Sequence, residues 1–158
     1  PAVSDVPGVF ASFFGPDPIN LLGVVILTSL GTWGLPQTIL GAIFWWNIRH
    51  YPRRTYRGCI ETQWGGMGGM SLGLFIFTPG EKNPNYEKIR VHEYGHCIQS
   101  LLLGPAYLIL GLISVCWANI PYFRKLRKEK KIPYTACFVE SWASKWGEWV
   151  TGERAIWN

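Results

Sequence analysis

Two histidines stand four residues apart in this chain, and a glutamate directly follows the first. On a helix, residues four apart lie on one face about one turn apart, so His92 and His96 can offer ring nitrogens to one metal ion. Glu93 is offset by about 100° around the helix axis, where it would reach a metal-bound water instead of the metal. This spacing indicates zinc chemistry, in which an acidified water attacks a carbonyl while Glu93 takes its proton.

Catalytic zinc needs a third protein ligand and an open fourth position. Glu140 is the favoured candidate, because an unpaired carboxylate would be costly in its otherwise apolar helical segment. Glu148 is a second candidate in a less apolar segment, whereas His50 lies within an arginine cluster. Small residues on the Glu140 face would let this helix approach another one closely at Gly95: Ala143, Ser144 and Gly147. The alternatives are that the histidines are buried without metal and that Glu140 makes only a polar contact.

The order His92-Glu93-x-x-His96, with Glu140 on a later helix, resembles the gluzincin group of zinc metallopeptidases, including its membrane-bound members. The resemblance covers about residues 70–147. It implies that His92, His96 and Glu140 bind Zn²⁺ and that Glu93 is the general base. In that group the second helix often carries an Asp that supports a motif histidine. Here Ser144 stands at that position, so the histidine orientation is expected to depend on another acceptor.

Other residues are candidates for binding substrate or supporting the ligands. The resemblance implies an edge strand ahead of the motif helix, to which a peptide would add as a further strand, although a packed hairpin fits equally well. Its residues are Ser71, Leu72, Gly73 and Leu74. Gln99 lies one turn beyond His96 and is expected to support it or to line the site; Ser144 and Tyr134 are further supporting candidates. Tyr134, Tyr94 or an arginine would stabilise the oxyanion, and nothing in the sequence selects among them.

The composition favours a membrane protein. Charged residues make up only 16% of the 158 residues, below the roughly 25% of soluble domains. The 9 Trp, 7 Tyr and 8 Phe favour the membrane–water interface. The net charge of +5 comes largely from two clusters, 49–57 and 124–131, each following an apolar segment. This distribution is typical of cytoplasmic flanks and argues against nucleic acid as a partner.

The patterns predict a mainly α membrane protein, with one N-terminal spanning helix, a short glycine-rich β element and a zincin-like pair of helices. As one domain the chain divides into seven segments: a leader 1–18, a transmembrane helix 19–46, the β element 58–80, the HExxH helix 84–103, an apolar membrane segment 105–122, a basic loop 123–132 and the third-ligand helix 134–150. No cleavable signal peptide is recognised. The expected location is the membrane, specifically the bacterial inner (plasma) membrane.

The leading hypothesis is a membrane-bound zinc metallopeptidase that acts on a peptide or a membrane-protein segment. The alternative is a non-catalytic zinc-binding membrane protein in which the metal locks helices together. Both use His92, His96 and Glu140, but only the enzyme needs Glu93 and an open position on zinc. A third class, a metal-free scaffold or channel subunit, would leave all four residues dispensable. The sequence leaves the substrate and the oligomeric state open.

Overall fold

The computed structural model describes residues 29, 32–66 and 68–157. The elements are α1 (Leu35–Asn47), β1 (Arg53–Tyr56), β2 (Cys59–Gln63), β3 (Met70–Leu72), β4 (Phe75–Thr78), α2 (Tyr86–Leu103), α3 (Tyr107–Asn119), α4 (Pro121–Lys130) and α5 (Phe138–Thr151). Short 3-10 turns precede α3, at Gly104–Ala106, and α5, at Tyr134–Ala136. The predicted leader 1–18 lies outside the described residues, as does most of the predicted helix 19–46.

The strands form one four-stranded sheet in the order β1-β2-β4-β3. The outer pairs are antiparallel, whereas the central pair β2 and β4 is parallel. The predicted β element 58–80 contains three of these strands. The fourth, β1, begins in the arginine cluster and is mostly exposed, which is why the sequence indicates a charged flank there instead of a strand. β3 is an edge strand, and β4 beside it leads into the motif helix.

Helices cover both faces of the sheet. On one face, Phe44 of α1 packs edge-on against Phe77 of β4, with ring centroids 4.8 Å apart. On the other face, the Oγ of Ser71 in β3 lies 3.1 Å from the Sγ of Cys97 in α2. Because successive strand residues point to opposite faces, the sheet holds α1 on one side and the HExxH helix on the other.

The two helices that carry the predicted ligands touch through their main chains. A Cβ added at Gly95 of α2 would lie closer than 3.0 Å to the carbonyl oxygen of Ala143 in α5. A Cβ at Gly147 of α5 would also lie closer than 3.0 Å to the carbonyl oxygen of Val91 in α2. The predicted close approach through small residues is therefore confirmed. This contact fixes the distance between the HExxH helix and the helix of Glu140.

The candidate membrane-spanning helix in the described part of the chain is internal. Among the described residues, the stretch long and apolar enough to cross a membrane is the 34-residue run Tyr86–Asn119, by length and composition alone. It joins α2 and α3 through the 3-10 turn, and only 11% of its most apolar window is buried. Most of the predicted N-terminal helix 19–46 lies outside the described residues. Its described part includes α1, which has 13 residues, fewer than the roughly 20 that a crossing needs. The predicted end of the HExxH helix is confirmed, because α2 ends at Leu103 and Gly104 caps it with φ 54°. A 3-10 turn then leads directly into α3.

The predicted basic loop 123–132 is also corrected, because it is mostly the helix α4. Pro121 occupies its first turn, where the missing N–H and the fixed φ of proline suit a helix. Lys131 ends it in the left-handed conformation, with φ 50°. Lysine and arginine are good helix formers, and α4 carries a short apolar stripe in which Phe123 and Leu126 are half-buried. The dense basic charge around this stripe obscures it in the sequence. The third-ligand helix begins at Phe138, four residues later than predicted.

Candidate metal centre

The three predicted metal ligands converge between α2 and α5. The Nε2 of His92 lies 3.1 Å from the Oε2 of Glu140, and the Nε2 of His96 lies 3.5 Å from the same oxygen. One ligand atom from each residue lies within 4.8 Å of the other two. All three side chains are buried, with exposed fractions of 5%, 6% and 1% for His92, His96 and Glu140. This group can hold a metal ion.

Ser144 orients His92. The Nδ1 of His92 lies 2.9 Å from the Oγ of Ser144, which donates a hydrogen bond of 2.8 Å to the carbonyl oxygen of Ile156. A hydroxyl has a single hydrogen, so the serine oxygen accepts from the Nδ1–H of His92. The proton of the neutral imidazole is then on Nδ1, and the lone pair on Nε2 points towards Glu140. Ser144 thus takes the position at which the gluzincin group often has Asp.

Gln99 orients His96 in the same way. The Nδ1 of His96 lies 2.8 Å from the Oε1 of Gln99, whose Nε2 donates to the carbonyl oxygen of Val139 at 2.9 Å. An amide oxygen only accepts, so Nδ1 carries the hydrogen. Metal-binding histidines usually donate their second N–H to a fixed acceptor of this kind. Both imidazoles therefore present Nε2 lone pairs to the same point.

The charges at this point fit a divalent cation. Burial raises the pKa of the Glu140 carboxyl, but the adjoining imidazoles of His92 and His96 outweigh burial and lower the pKa below its usual range. The carboxylate is therefore ionised at neutral pH, and its Oε1 is buried without a hydrogen-bond partner among the described residues. In the metal-free protein, lowering of this pKa requires N–H donors at Nε2 of the histidines. A cation shared by the three side chains would displace those hydrogens and take both Nε2 lone pairs and the carboxylate as ligands.

Comparison with known proteins adds no relative. No protein family, curated protein or solved structure matches this chain. The gluzincin resemblance rests on the motif alone.

The predicted general base is buried beside the ligands. Glu93 is 5% exposed, and its carboxylate lies against the main chain at Gly69, just before edge strand β3. A Cβ at Gly69 would lie closer than 3.0 Å to the Oε1 of Glu93. Glycine at this position therefore makes room for the carboxylate. The sequence shows the glycine-rich run as a place of close backbone approach, but it does not single out Gly69.

Of the two tyrosines considered as oxyanion donors, Tyr134 lies near the ligands. Its hydroxyl is 3.3 Å from the Oγ of Ser114 in α3. Burial and the negative charge of Glu140 raise the pKa of Tyr134, so its phenol stays protonated and can donate. Tyr94 is turned away, because its hydroxyl donates to the carbonyl oxygen of Arg57 at 3.3 Å.

The predicted substrate strand is divided between an edge strand and a turn. Ser71 and Leu72 lie in β3. Gly73 has φ 59° and lies under Thr38 of α1. The carbonyl oxygen of Leu74 accepts from the N–H of Ile60 at 2.8 Å. Within this segment, β3 alone offers an extended edge.

The other two candidate ligands lie elsewhere. The Oε1 of Glu148 accepts hydrogen bonds from the N–H of Ala155 at 3.0 Å and from the Nε1 of Trp157 at 2.8 Å. The ring of His50 packs on Tyr51, with centroids 4.3 Å apart. Glu148 therefore ties down the segment after α5, and His50 belongs to the connection between α1 and β1.

Proposed function

We propose that this chain is a membrane-bound zinc metallopeptidase. The supporting observation is the convergence of His92, His96 and Glu140, with Glu93 buried beside them on the same helix. Two neutral imidazoles and one carboxylate make the three-ligand set of a catalytic zinc site, which leaves a fourth position open. Zinc held there supplies Lewis acidity, which polarises a carbonyl oxygen and acidifies a water.

The chain's own residues would move the protons and hold the reacting groups. Glu93 would take a proton from the attacking water as the new C–O bond forms, and would return it to the amine nitrogen as the C–N bond breaks. The Tyr134 phenol would donate to the carbonyl oxygen as negative charge develops there. Gln99 and Ser144 would keep both imidazoles in the tautomer that binds metal.

A peptide substrate would lie along β3. This strand is at the edge of the sheet, and it follows Gly69, against which the Glu93 carboxylate lies. An extended peptide that adds to such an edge gains main-chain hydrogen bonds without a sequence requirement. The scissile bond would then pass close to the general base.

The bilayer is the proposed partner of the apolar surface. Large apolar side chains of α3 are exposed, among them Ile109 at 65% and Leu112 at 62%. The basic helix α4 follows α3 directly, and its exposed lysines and arginines suit the lipid headgroups. We therefore expect the chain in the membrane fraction of expressing cells. Recovery in the aqueous supernatant would contradict this contact.

The alternative, a non-catalytic zinc lock, is less well supported by the packing. The main-chain contact at Gly95 and Gly147 already joins α2 to α5, so these helices do not need a metal to meet. A lock also gives no role to Glu93, a buried carboxylate that is not one of the three grouped ligands. Both features favour an enzyme.

Gly69→Ala tests the proposal through the position of Glu93. The zinc-loaded protein is expected to hydrolyse an unstructured peptide, and the variant to lower kcat by about 10- to 100-fold, because the new methyl displaces the carboxylate by about an ångström. Bound zinc should be unchanged, since no ligand is touched. The measurements are kcat and metal content.

Gly68→Ala is the matched control. A Cβ at Gly68 meets no atom within 4 Å among the described residues, so this variant should keep full activity. Equal activity of the two variants would contradict the placement of Glu93. Zinc-loaded protein that hydrolyses none of a broad set of peptides would contradict the peptidase and favour the non-catalytic alternative.

A further inference from the structure

We propose that the segment following α5, residues 152–157, positions His92 for metal binding through the carbonyl oxygen of Ile156. This inference rests on the metal site of the proposed function and not on hydrolysis. In this chain, Ser144 and the Ile156 carbonyl oxygen together would take the role of the Asp that the gluzincin group often has at the position of Ser144.

Ile156 bridges the two ligand helices with its main chain. Its N–H donates to the carbonyl oxygen of Lys88 in α2 at 3.2 Å, and Lys88 is one turn before His92. Its own carbonyl oxygen accepts from the hydroxyl of Ser144 in α5 at 2.8 Å. The acceptor of the serine hydroxyl is therefore held in place from the helix that carries the histidine.

The segment is tied down on both sides of Ile156. Gly152 reverses the chain after α5, with φ 73°. Glu148 then accepts from the N–H of Ala155 and from the ring N–H of Trp157. Ala155 is buried, with 4% exposed. These contacts give the Ile156 carbonyl a defined position.

The direction of the serine hydrogen decides which imidazole nitrogen is free. While the hydroxyl donates to Ile156, its oxygen accepts from the Nδ1–H of His92, and Nε2 keeps its lone pair for the metal. Without that acceptor, the hydroxyl can rotate and donate to Nδ1. The proton then moves to Nε2, where it competes with the ion. An Asp side chain would not need the carbonyl, because a carboxylate only accepts.

Ser144→Ala is expected to weaken zinc binding by about 10- to 100-fold, the usual loss when a partner of a ligating histidine is removed. Ser141→Ala is the matched control, because Ser141 lies on the same helix and its hydroxyl donates to the local carbonyl oxygen of Phe138 at 3.1 Å. The readouts are zinc affinity, by competition with a chelating dye, and the visible absorption spectrum of the Co²⁺-loaded protein. Thermal unfolding of each metal-free variant shows whether it is folded.

A chain that ends at Glu153 tests the segment itself. The shortened chain is expected to lose as much zinc affinity as Ser144→Ala. Trp157→Ala keeps the Ile156 carbonyl, so its loss of zinc affinity should be smaller. Ser144→Asp, made in the shortened chain where the longer side chain has room, is expected to restore affinity and the Co²⁺ spectrum.

Zinc binding by Ser144→Ala that is as tight as in the unaltered chain would overturn the inference, even if the shortened chain fails to fold. Failure of Ser144→Asp to restore affinity in a folded shortened chain would overturn it as well. An unaltered chain that binds zinc with the expected losses in the variants, but hydrolyses no peptide, would support this inference and contradict the proposed function. An unaltered chain that binds no zinc would contradict both.

Discussion

Glu93→Gln is expected to keep bound zinc and to lower kcat for peptide hydrolysis by about 100- to 10,000-fold, the usual contribution of a general base. Glutamine has nearly the shape of glutamate and fits against Gly69, but its amide cannot take a proton from water. The ligand atoms belong to other residues, so metal binding should not change. The measurements are kcat on a cleaved peptide and zinc content per chain.

Glu87→Gln is the control for this variant. Glu87 lies on the same helix and is exposed, with an ion pair to Arg90. Exposed pairs of this kind contribute little to stability, so activity and zinc content should both stay unchanged. Full activity of Glu93→Gln would show that Glu93 is not the base.

His96→Ala is expected to remove zinc from the purified protein. Structural zinc sites with four protein ligands bind zinc by about 10–16 kcal/mol, or roughly 3 kcal/mol for each ligand. Loss of one ligand from this three-ligand site is therefore expected to raise Kd by about 100-fold or more. A bound ion also stabilises the folded state. A chelator should therefore lower the Tm of the unaltered protein and leave the Tm of the variant unchanged. Metal content and thermal unfolding are the measurements.

His50→Ala is the matched control, because His50 is an exposed histidine outside the ligand group. This variant should retain zinc and the effect of the chelator on Tm. Stoichiometric metal in His96→Ala would exclude the site formed with His92 and Glu140.

The three metal ligands could be predicted because each is recognisable in the sequence by the chemistry of its side chain. The spacing of His92 and His96 places both on one helical face, and Glu140 is a carboxylate in an apolar helix that needs a partner. The small residues around it also predict the close contact at Gly95. The histidine spacing, the carboxylate in an apolar helix and the small residues can each be recognised within a short stretch of sequence. The fold then brings these stretches together.

The other features of the site and of the fold could not be predicted, because they depend on main-chain atoms or on tertiary packing. The Ile156 carbonyl is a main-chain group, so no side chain in the sequence reveals it as an acceptor. Gly69 is one glycine among several, and only the fold shows which of them lies against Glu93. The apolar stripe of α4 consists of little more than Phe123 and Leu126, and the surrounding lysines and arginines obscure it. Gly104 marks the end of α2, but the helical turn beyond it is set by tertiary packing.

The main-chain contact at Gly95 and Gly147 makes the ligand set a rigid chelate. Side-chain packing can adjust by fractions of an ångström, whereas two touching backbones leave little freedom to open or close. The ligands would then be organised during folding, before any ion arrives, and binding would involve little further loss of entropy. One divalent ion could replace another without separating the helices. The ion in the site would then be set by the free concentrations of competing metals around the folded protein, and not by which metal was present while the chain folded.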